Sequence, residues 1–297
     1  MKLLNTNLKM CELGTSPFCI ETDEDQIKLH TIVLAVAKKG YGKSYFLSNL
    51  LKWLKFDRTI VISPTFESNQ SQFKHLNIKN EDVFDPDDPD VIKKTTNIVN
   101  KERDDLVEYR RKMQIFKELK KLYGNPNNLD EDYSLFDEYI DPLTHKWKPP
   151  EHKYEGKRAK IGCMIDDAQS TAIFRNKAFI NMALKHRHLG SMPGDEASLG
   201  ISLFIAVQSY TSQGSSLPRS IRNNTNCLAL WRSKNIKELK LISEEMAGSV
   251  SPEKFMEVYN FIMEDEDPHT MMFVDLHKKQ NHPSGFRKNY TQFIVDE

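Results

Sequence analysis

Residues 37 to 44 read AKKGYGKS: two glycines, three lysines and, last, a serine hydroxyl within eight positions. The run stands between an apolar strand-like segment, Ile32 to Val36, and a helical pattern from Ser44 to Leu54 in which Phe46, Leu47, Leu50, Leu51 and Leu54 recur at helical spacing. That context suits a loop that grips phosphate. Successive backbone N–H groups curl around the phosphate oxygens, and the helix N-terminus adds favourable partial charge. Ala37, Lys38, Lys39, Gly40, Tyr41, Gly42, Lys43, Ser44 and Tyr45 then form the nucleotide-binding segment. Lys43 reaches the β- and γ-phosphates and the Ser44 hydroxyl ligates Mg²⁺. Ala37 stands where the usual pattern has its first glycine.

Such a loop needs a carboxylate from a nearby strand to hold the Mg²⁺ shell. IGCMIDDAQS supplies one at the end of an apolar run. Asp166 is expected to hold the Mg²⁺ shell, and Asp167 to polarise the attacking water; the plainer alternative is that both aspartates cap the next helix. A later apolar run, ISLFIAV, ends in Gln208, whose polar tip would face the γ-phosphate if that strand lies between the other two. The segment after it, SYTSQGSSLPRSIRNNTN, is polar and carries Arg219 and Arg222.

The elements that must position these residues follow from the apolar pattern. Strand-like runs at 32–36, 59–63, 160–165, 201–207 and 227–231 alternate with helical patterns at 44–54, 91–123, about 171–186, 235–247 and 252–263, and a late strand is expected at 271–276. Apolar strands alternating with helices predict an α/β fold with a mostly parallel sheet covered on both faces. DVFDPDDPD (82–90) reads as loop. We expect residues 1–29 to form a polar lead-in, irregular or an edge strand. Residues 30–297 would form one domain carrying a charged, helical and polar insertion at about 85–158.

The 297 residues hold 42 basic and 42 acidic side chains. Zero net charge argues against electrostatic coating of nucleic acid but leaves room for a local grip through a basic patch. With 39% hydrophobic and 28% charged residues, collagen-like, mucin-like and disordered classes are excluded. No apolar run approaches a membrane span, and the N-terminal residues make a poor signal peptide. Cys11, Cys19, Cys163 and Cys227 lack metal-ligand spacing, and the last two sit in apolar runs as expected of buried free thiols.

VLAVAKKGYGKS, a second strand running into VISPTFES, CMIDDAQS, the basic KHRH, ISLFIAVQSY, and LPRSIRNN leading into CLALW occur in that order over about residues 30–232. Together they resemble the FtsK/HerA superfamily of P-loop motor ATPases. The closest look is to the virion DNA-packaging ATPases of poxviruses, other large eukaryotic DNA viruses and virophages. The resemblance implies a RecA-like (ASCE-type) P-loop NTPase with strand order 5-1-4-3-2 and helices on both faces. It also implies ATP hydrolysis with Mg²⁺ and a homo-oligomeric ring, pentamer or hexamer, around double-stranded DNA. Asp167 stands where many such motors have Glu.

Hydrolysis between subunits requires a cation entering from the neighbour. Arg187, in KHRH, matches the place where these motors carry it, and Arg222 is the second candidate; either could instead be a solvated surface charge. His186 and His188 read as local hydrogen-bonding groups. The basic face between Lys101 and Lys121 could meet DNA phosphates or be a solvated helical face balanced by the acidic stretch Asp130 to Asp137. The implied activity is packaging of a viral genome, with a capsid or portal component as a further partner, in the host cytoplasm, the viral factory or the virion. Competing readings are a DNA pump for segregation or conjugation, a nucleoside or nucleotide kinase, which Asp166–Asp167 and Gln208 oppose, and a non-hydrolysing nucleotide-binding structural protein, which Ala37 keeps open.

Overall fold

Short runs of aliphatic residues with both faces buried can only be the middle strands of a sheet sandwiched between helices. The computed structural model, which describes residues 22–126, 134–194, 198–211, 217–248 and 250–295, shows that arrangement. Cys11, Cys19, part of the acidic stretch after Asp130 and part of the polar run after Gln208 lie outside the described residues. In chain order the elements are β1 (Ile32–Val36), α1 (Lys43–Trp53), β2 (Arg58–Ile62), α2 (Phe66–Asn69), β3 (Val83–Phe84), α3 (Val91–Tyr123), β4 (Ile161–Ile165) and α4 (Lys177–Leu184). They continue with β5 (Ser202–Val207), α5 (Arg219–Arg222), β6 (Cys227–Trp231), α6 (Ile236–Met246), α7 (Pro252–Met263), β7 (Met271–Asp275), β8 (Phe286–Lys288) and β9 (Gln292–Phe293).

The nine strands of the described residues form one sheet in the order β3-β2-β4-β5-β1-β6-β7-β8-β9. The first six are parallel, and β7, β8 and β9 extend the sheet antiparallel. The two-residue period of a strand divides the core cleanly. Ile32, Leu34 and Val36 of β1 join Ile161, Ile165, Leu203 and Ile205 on the face covered by α3, α4, α6 and α7. Val33 and Ala35 join Phe204 and Ala206 on the other face, under Phe46, Leu47, Leu50 and Leu51 of α1. Cys163 and Cys227 are buried free thiols, and burial pushes the Cys163 pKa up to about 12.

Several expectations change. Within 82–90, Val83 and Phe84 leave the loop to pair with Val61 and Ile62 as an edge strand, because Arg58 pins the adjacent Asp82 beside β2. The helix expected at 171–186 is shorter. Asp167 adopts a left-handed conformation (φ 52), turns follow at Ala168–Ser170 and Ile173–Arg175, and α4 begins only where Asn176 accepts a hydrogen bond from the Ala178 N–H. The described part of the lead-in forms no edge strand. Ile27 is fully buried, and Lys279 and Arg287 donate to the carbonyls of Asp23 and Asp25.

Nor is the charged insertion an appendage throughout. The amino-terminal half of α3 buries Val91, Val99 and Leu106 against the sheet. Arg58, at the start of β2, donates to Asp82 and, at 2.7 Å, to Glu102 of α3, while Lys153 reaches Glu102 at 2.6 Å. Further along α3, Arg111 pairs with Glu108 and Lys112 with Glu138, so part of the basic face is neutralised locally. No helix among the described residues is long and apolar enough to cross a membrane.

Asp82 and Glu102 have side chains only 2% and 1% exposed. Arg58→Met should therefore leave buried Asp82 without its counter-charge and Glu102 with Lys153 alone, and cost about 3–5 kcal/mol, read as a lowered midpoint in urea denaturation.

Candidate functional site

Strand register decides which residues meet at the carboxyl edge of the sheet. Val36 of β1 is level with Val207 of β5, and Ile205 with Ile165 of β4. Ala37 and Gln208 therefore leave the sheet side by side, and Asp166 leaves it from the strand next to β5, level with Ala206. The Ala37 N–H donates to the Val207 carbonyl and the Asp166 N–H to Ile62 of β2, so both connections leave the sheet still tied to it.

In the loop after β1, positive φ is confined to Gly40 (87°) and Gly42 (92°). Ala37 lacks that requirement, so its methyl group is accommodated where the usual motif has glycine. A Cβ on Gly40 would meet nothing within 4 Å, as expected of backbone left open for a ligand. Gly42 is the N-cap of α1, which carries no acidic residue in its first turn. Lys43 is buried, its ammonium donating to the carbonyls of Ala37 (2.6 Å) and Lys38 (3.1 Å). Burial lowers its pKa, while Asp166 and Asp167 pull the other way.

Asp166 is 2% exposed. Burial raises its pKa and Asp167 adds to the rise; the Ser44 hydroxyl, within hydrogen-bonding reach, and Lys43 favour the ionised form. Ser44 and Asp166 thus present two hard oxygen donors side by side, a set that fits Mg²⁺. Asp167 is half-buried in its left-handed conformation, with its N–H on Asp166 Oδ1 and its Oδ2 accepting from Thr65 Oγ1 at 3.3 Å. Lys38 and Lys39 are exposed at the mouth of the loop, as is Tyr45, whereas Tyr41 is half-buried.

Two residues absent from the expectations organise this edge. Gln169, three positions after Asp166, accepts from the N–H groups of Gln208 and Ser209 and donates to the Ser209 carbonyl at 3.1 Å. One amide thereby fixes the tip of β5 against the acidic turn and leaves the Gln208 side chain exposed at the mouth of the site. Thr65 orients Asp167 from the end of β2. Neither carries a sequence signal of its own; only their place within CMIDDAQS and VISPTFES could have suggested them.

The candidate cations lie elsewhere. The Ile201 N–H donates to the His186 carbonyl, which puts Arg187 at the start of β5, opposite Gln208 at its end. Six residues of strand separate the two edges by roughly 20 Å. Arg187 is exposed on a polar cleft that also takes His188, Asn223, Asn224 and His277. His186 is buried with its ring nitrogens on the Ala183 and His30 carbonyls, as expected of a local hydrogen-bonding group. Arg222 does not join the site. Its guanidinium stacks on Tyr210 (4.8 Å to the ring centre), faces Glu245 at 3.6 Å and is 12% exposed, so in this fold it is a packing residue and not a presented cation.

No family model and no curated protein sequence matches the chain. Among solved structures, the genome-packaging NTPase B204 of Sulfolobus turreted icosahedral virus 2, in complex with ATP-gammaS, is 13% identical with a TM-score of 0.42, the alignment covering 87% of this chain and 95% of that one. B204 of Sulfolobus turreted icosahedral virus, a DNA-packaging ATPase, is 16% identical (TM-score 0.41), covering 87% and 96%. The pCW3 conjugation coupling protein TcpA with ATPgS is 15% identical (TM-score 0.39), covering 85% of this chain but 60% of that one. Likenesses this shallow assign no activity, and the site's own geometry must carry the functional reading.

Gln169→Ala should remove three hydrogen bonds at the β4–β5 edge without touching the phosphate loop. We expect ATP binding, measured by calorimetry, within a few-fold of wild type, and a fall in hydrolysis rate of about ten-fold or more, the scale on which small misplacements of reacting groups act.

Proposed function

We propose that the chain is an ATP-driven double-stranded DNA translocase of the FtsK/HerA type, that it acts as a ring of identical subunits, and that it packages a viral genome. The observation that carries this reading is the opposition of two edges. Lys43, Ser44, Asp166, Asp167 and Gln208 gather at the carboxyl edge of the sheet, while Arg187 stands on the other edge, where it cannot serve its own subunit's phosphates. That separation supports a cation supplied by a neighbouring copy, and head-to-tail supply that closes on itself makes a ring. The five core strands, taken in the order β6-β1-β5-β4-β2, correspond to the 5-1-4-3-2 order of RecA-like ATPases. The DNA substrate and the packaging role rest on the sequence resemblance, above all on the Gln-ended strand followed by LPRSIRNN.

Within the site each residue has a task. The loop N–H groups and Lys43 hold the β- and γ-phosphates. Ser44 and Asp166 would hold Mg²⁺, which when bound neutralises charge on those oxygens. Asp167, anchored through Oδ2 by Thr65, is left with Oδ1 to orient the attacking water and accept its proton. Gln208 reports on the γ-phosphate from the end of β5, and Arg187 of a neighbouring copy stabilises the charge that develops there. In this role the other partners are double-stranded DNA and a capsid or portal component, and the protein acts in the host cytoplasm, the viral factory or the virion.

The deciding experiment is ATP hydrolysis by the purified protein with and without double-stranded DNA. Strong stimulation by DNA is expected, and its absence in an active ATPase would reject the motor. Lys43→Ala should abolish turnover in a folded protein, whereas Asp167→Asn should keep Mg·ATP binding and lose hydrolysis.

Ring assembly has its own test. Arg187→Ala should bind ATP nearly normally yet hydrolyse it up to about 10³-fold more slowly. Mixing it with Lys43→Ala subunits should restore part of the activity, since an intact loop can then face an intact Arg187. A stable mixed oligomer without recovered activity would exclude Arg187 from that role.

A further inference from the structure

Beside the phosphate loop lies a cavity of about 520 Å³ that the phosphate chemistry does not use. Its volume is within the roughly 300–1,000 Å³ of small-molecule sites. One wall is the outer face of α1, where Tyr45, Asn49 and Trp53 recur at intervals of four. The floor is Phe46, Trp231 and Met271, all buried, and the far wall is the segment before β7. Tyr45 follows Ser44 directly, and the residue is 69% exposed where it lines this cavity.

The far wall supplies polarity at fixed points. Asp267 Oδ1 is occupied by the His269 N–H (2.8 Å), which leaves Oδ2 as an acceptor. Asn289 Oδ1 is occupied by the Met271 N–H (2.9 Å), which leaves the Nδ2 donor. The two sit on one turn-and-hairpin unit, since the Asn289 N–H in turn donates to the Met271 carbonyl. This wall is tied to the phosphate loop itself: His269 Nδ1 lies 3.4 Å from the Tyr41 carbonyl, and a Cβ on Gly42 would stand 3.5 Å from the same nitrogen.

We propose that this cavity takes the purine base of the nucleoside triphosphate whose phosphates occupy the loop, with Tyr45 stacking on the base and Asp267 and Asn289 giving one acceptor and one donor to its edge. The proposal rests on the reading of AKKGYGKS as a triphosphate site. An aromatic side chain directly after Ser44, an apolar floor, and an edge with one acceptor and one donor fit a heteroaromatic ring better than a sugar or an aliphatic group. Selectivity for the larger purine ring follows from stacking area. The specificity residues would then come from the C-terminal antiparallel extension, and the phosphate-binding residues from the parallel core.

Calorimetric titration of the full chain with ATP, GTP, UTP and inorganic tripolyphosphate, each with Mg²⁺, separates the two parts. ATP and GTP should bind more tightly than UTP, and UTP more tightly than tripolyphosphate. Tyr45→Ala should weaken the purine nucleotides by at least about five-fold, the lower end of stacking contributions, and leave tripolyphosphate unchanged; Tyr45→Phe should retain purine affinity. ATP, but not tripolyphosphate, should alter the fluorescence of the wild-type tryptophans, two of which line the cavity. Equal affinity for ATP and tripolyphosphate, or an equal loss of both in Tyr45→Ala, would overturn the base pocket while leaving the loop assignment standing. A wild-type protein that does not bind tripolyphosphate, or binds it as well after Lys43→Ala, would overturn the triphosphate site and the base pocket with it.

Discussion

A lysine and an aspartate withdrawn from water at the same edge of a parallel sheet set the terms for everything around them. Lys43 is 7% exposed and Asp166 2%. Neither charge is cheap to bury, and their attraction alone does not compensate for lost hydration. The fold meets that cost with backbone and one hydroxyl: carbonyls of Ala37 and Lys38 for the ammonium, and the Asp167 N–H and the Ser44 side chain for the carboxylate. Polar groups held ready in a low-dielectric pocket are what charge-stabilising catalysis needs, because they act without reorganising when charge develops.

Keeping that edge rigid is the work of residues at its margins. Gln169 ties the acidic turn to β5, and Glu238, at the start of α6, accepts from the Ser209 hydroxyl and the N–H groups of Tyr210 and Thr211. The chain leaving Gln208 is thus fastened on both sides, and Tyr210 joins Arg222 of α5 and Glu245 of α6 in one packed cluster.

The antiparallel extension serves a different purpose. Arg287 is buried among Phe273, Tyr290 and Phe293 and donates to the Asp25 carbonyl, so β7, β8 and the lead-in are held as one unit. Trp53 of α1 stacks on Tyr290 with ring centres 5.4 Å apart, joining that unit to the helix that carries the phosphate loop. The aromatic cavity beside Gly42 exists only because these two parts meet.

Much of the parallel core was legible from sequence because its signals are local. Strand runs buried on both faces are continuously apolar, α1 repeats its leucines at helical spacing, and glycines at 40 and 42 mark backbone that other residues rarely adopt. AKKGYGKS and IGCMIDDAQS could be paired because each ends an apolar strand and their residue types are those expected to share one phosphate and its metal. The tertiary structure decided what depends on register and on distant partners. It placed Arg187 and Gln208 at opposite ends of β5, turned Arg222 inward onto Tyr210, recruited Gln169 and Thr65, and gave Val83 and Phe84 a strand that their acidic, proline-broken surroundings conceal. The reason is physical: periodicity tells a residue which face it will occupy, whereas the neighbour across that face comes from another stretch of chain, and only packing brings the two together.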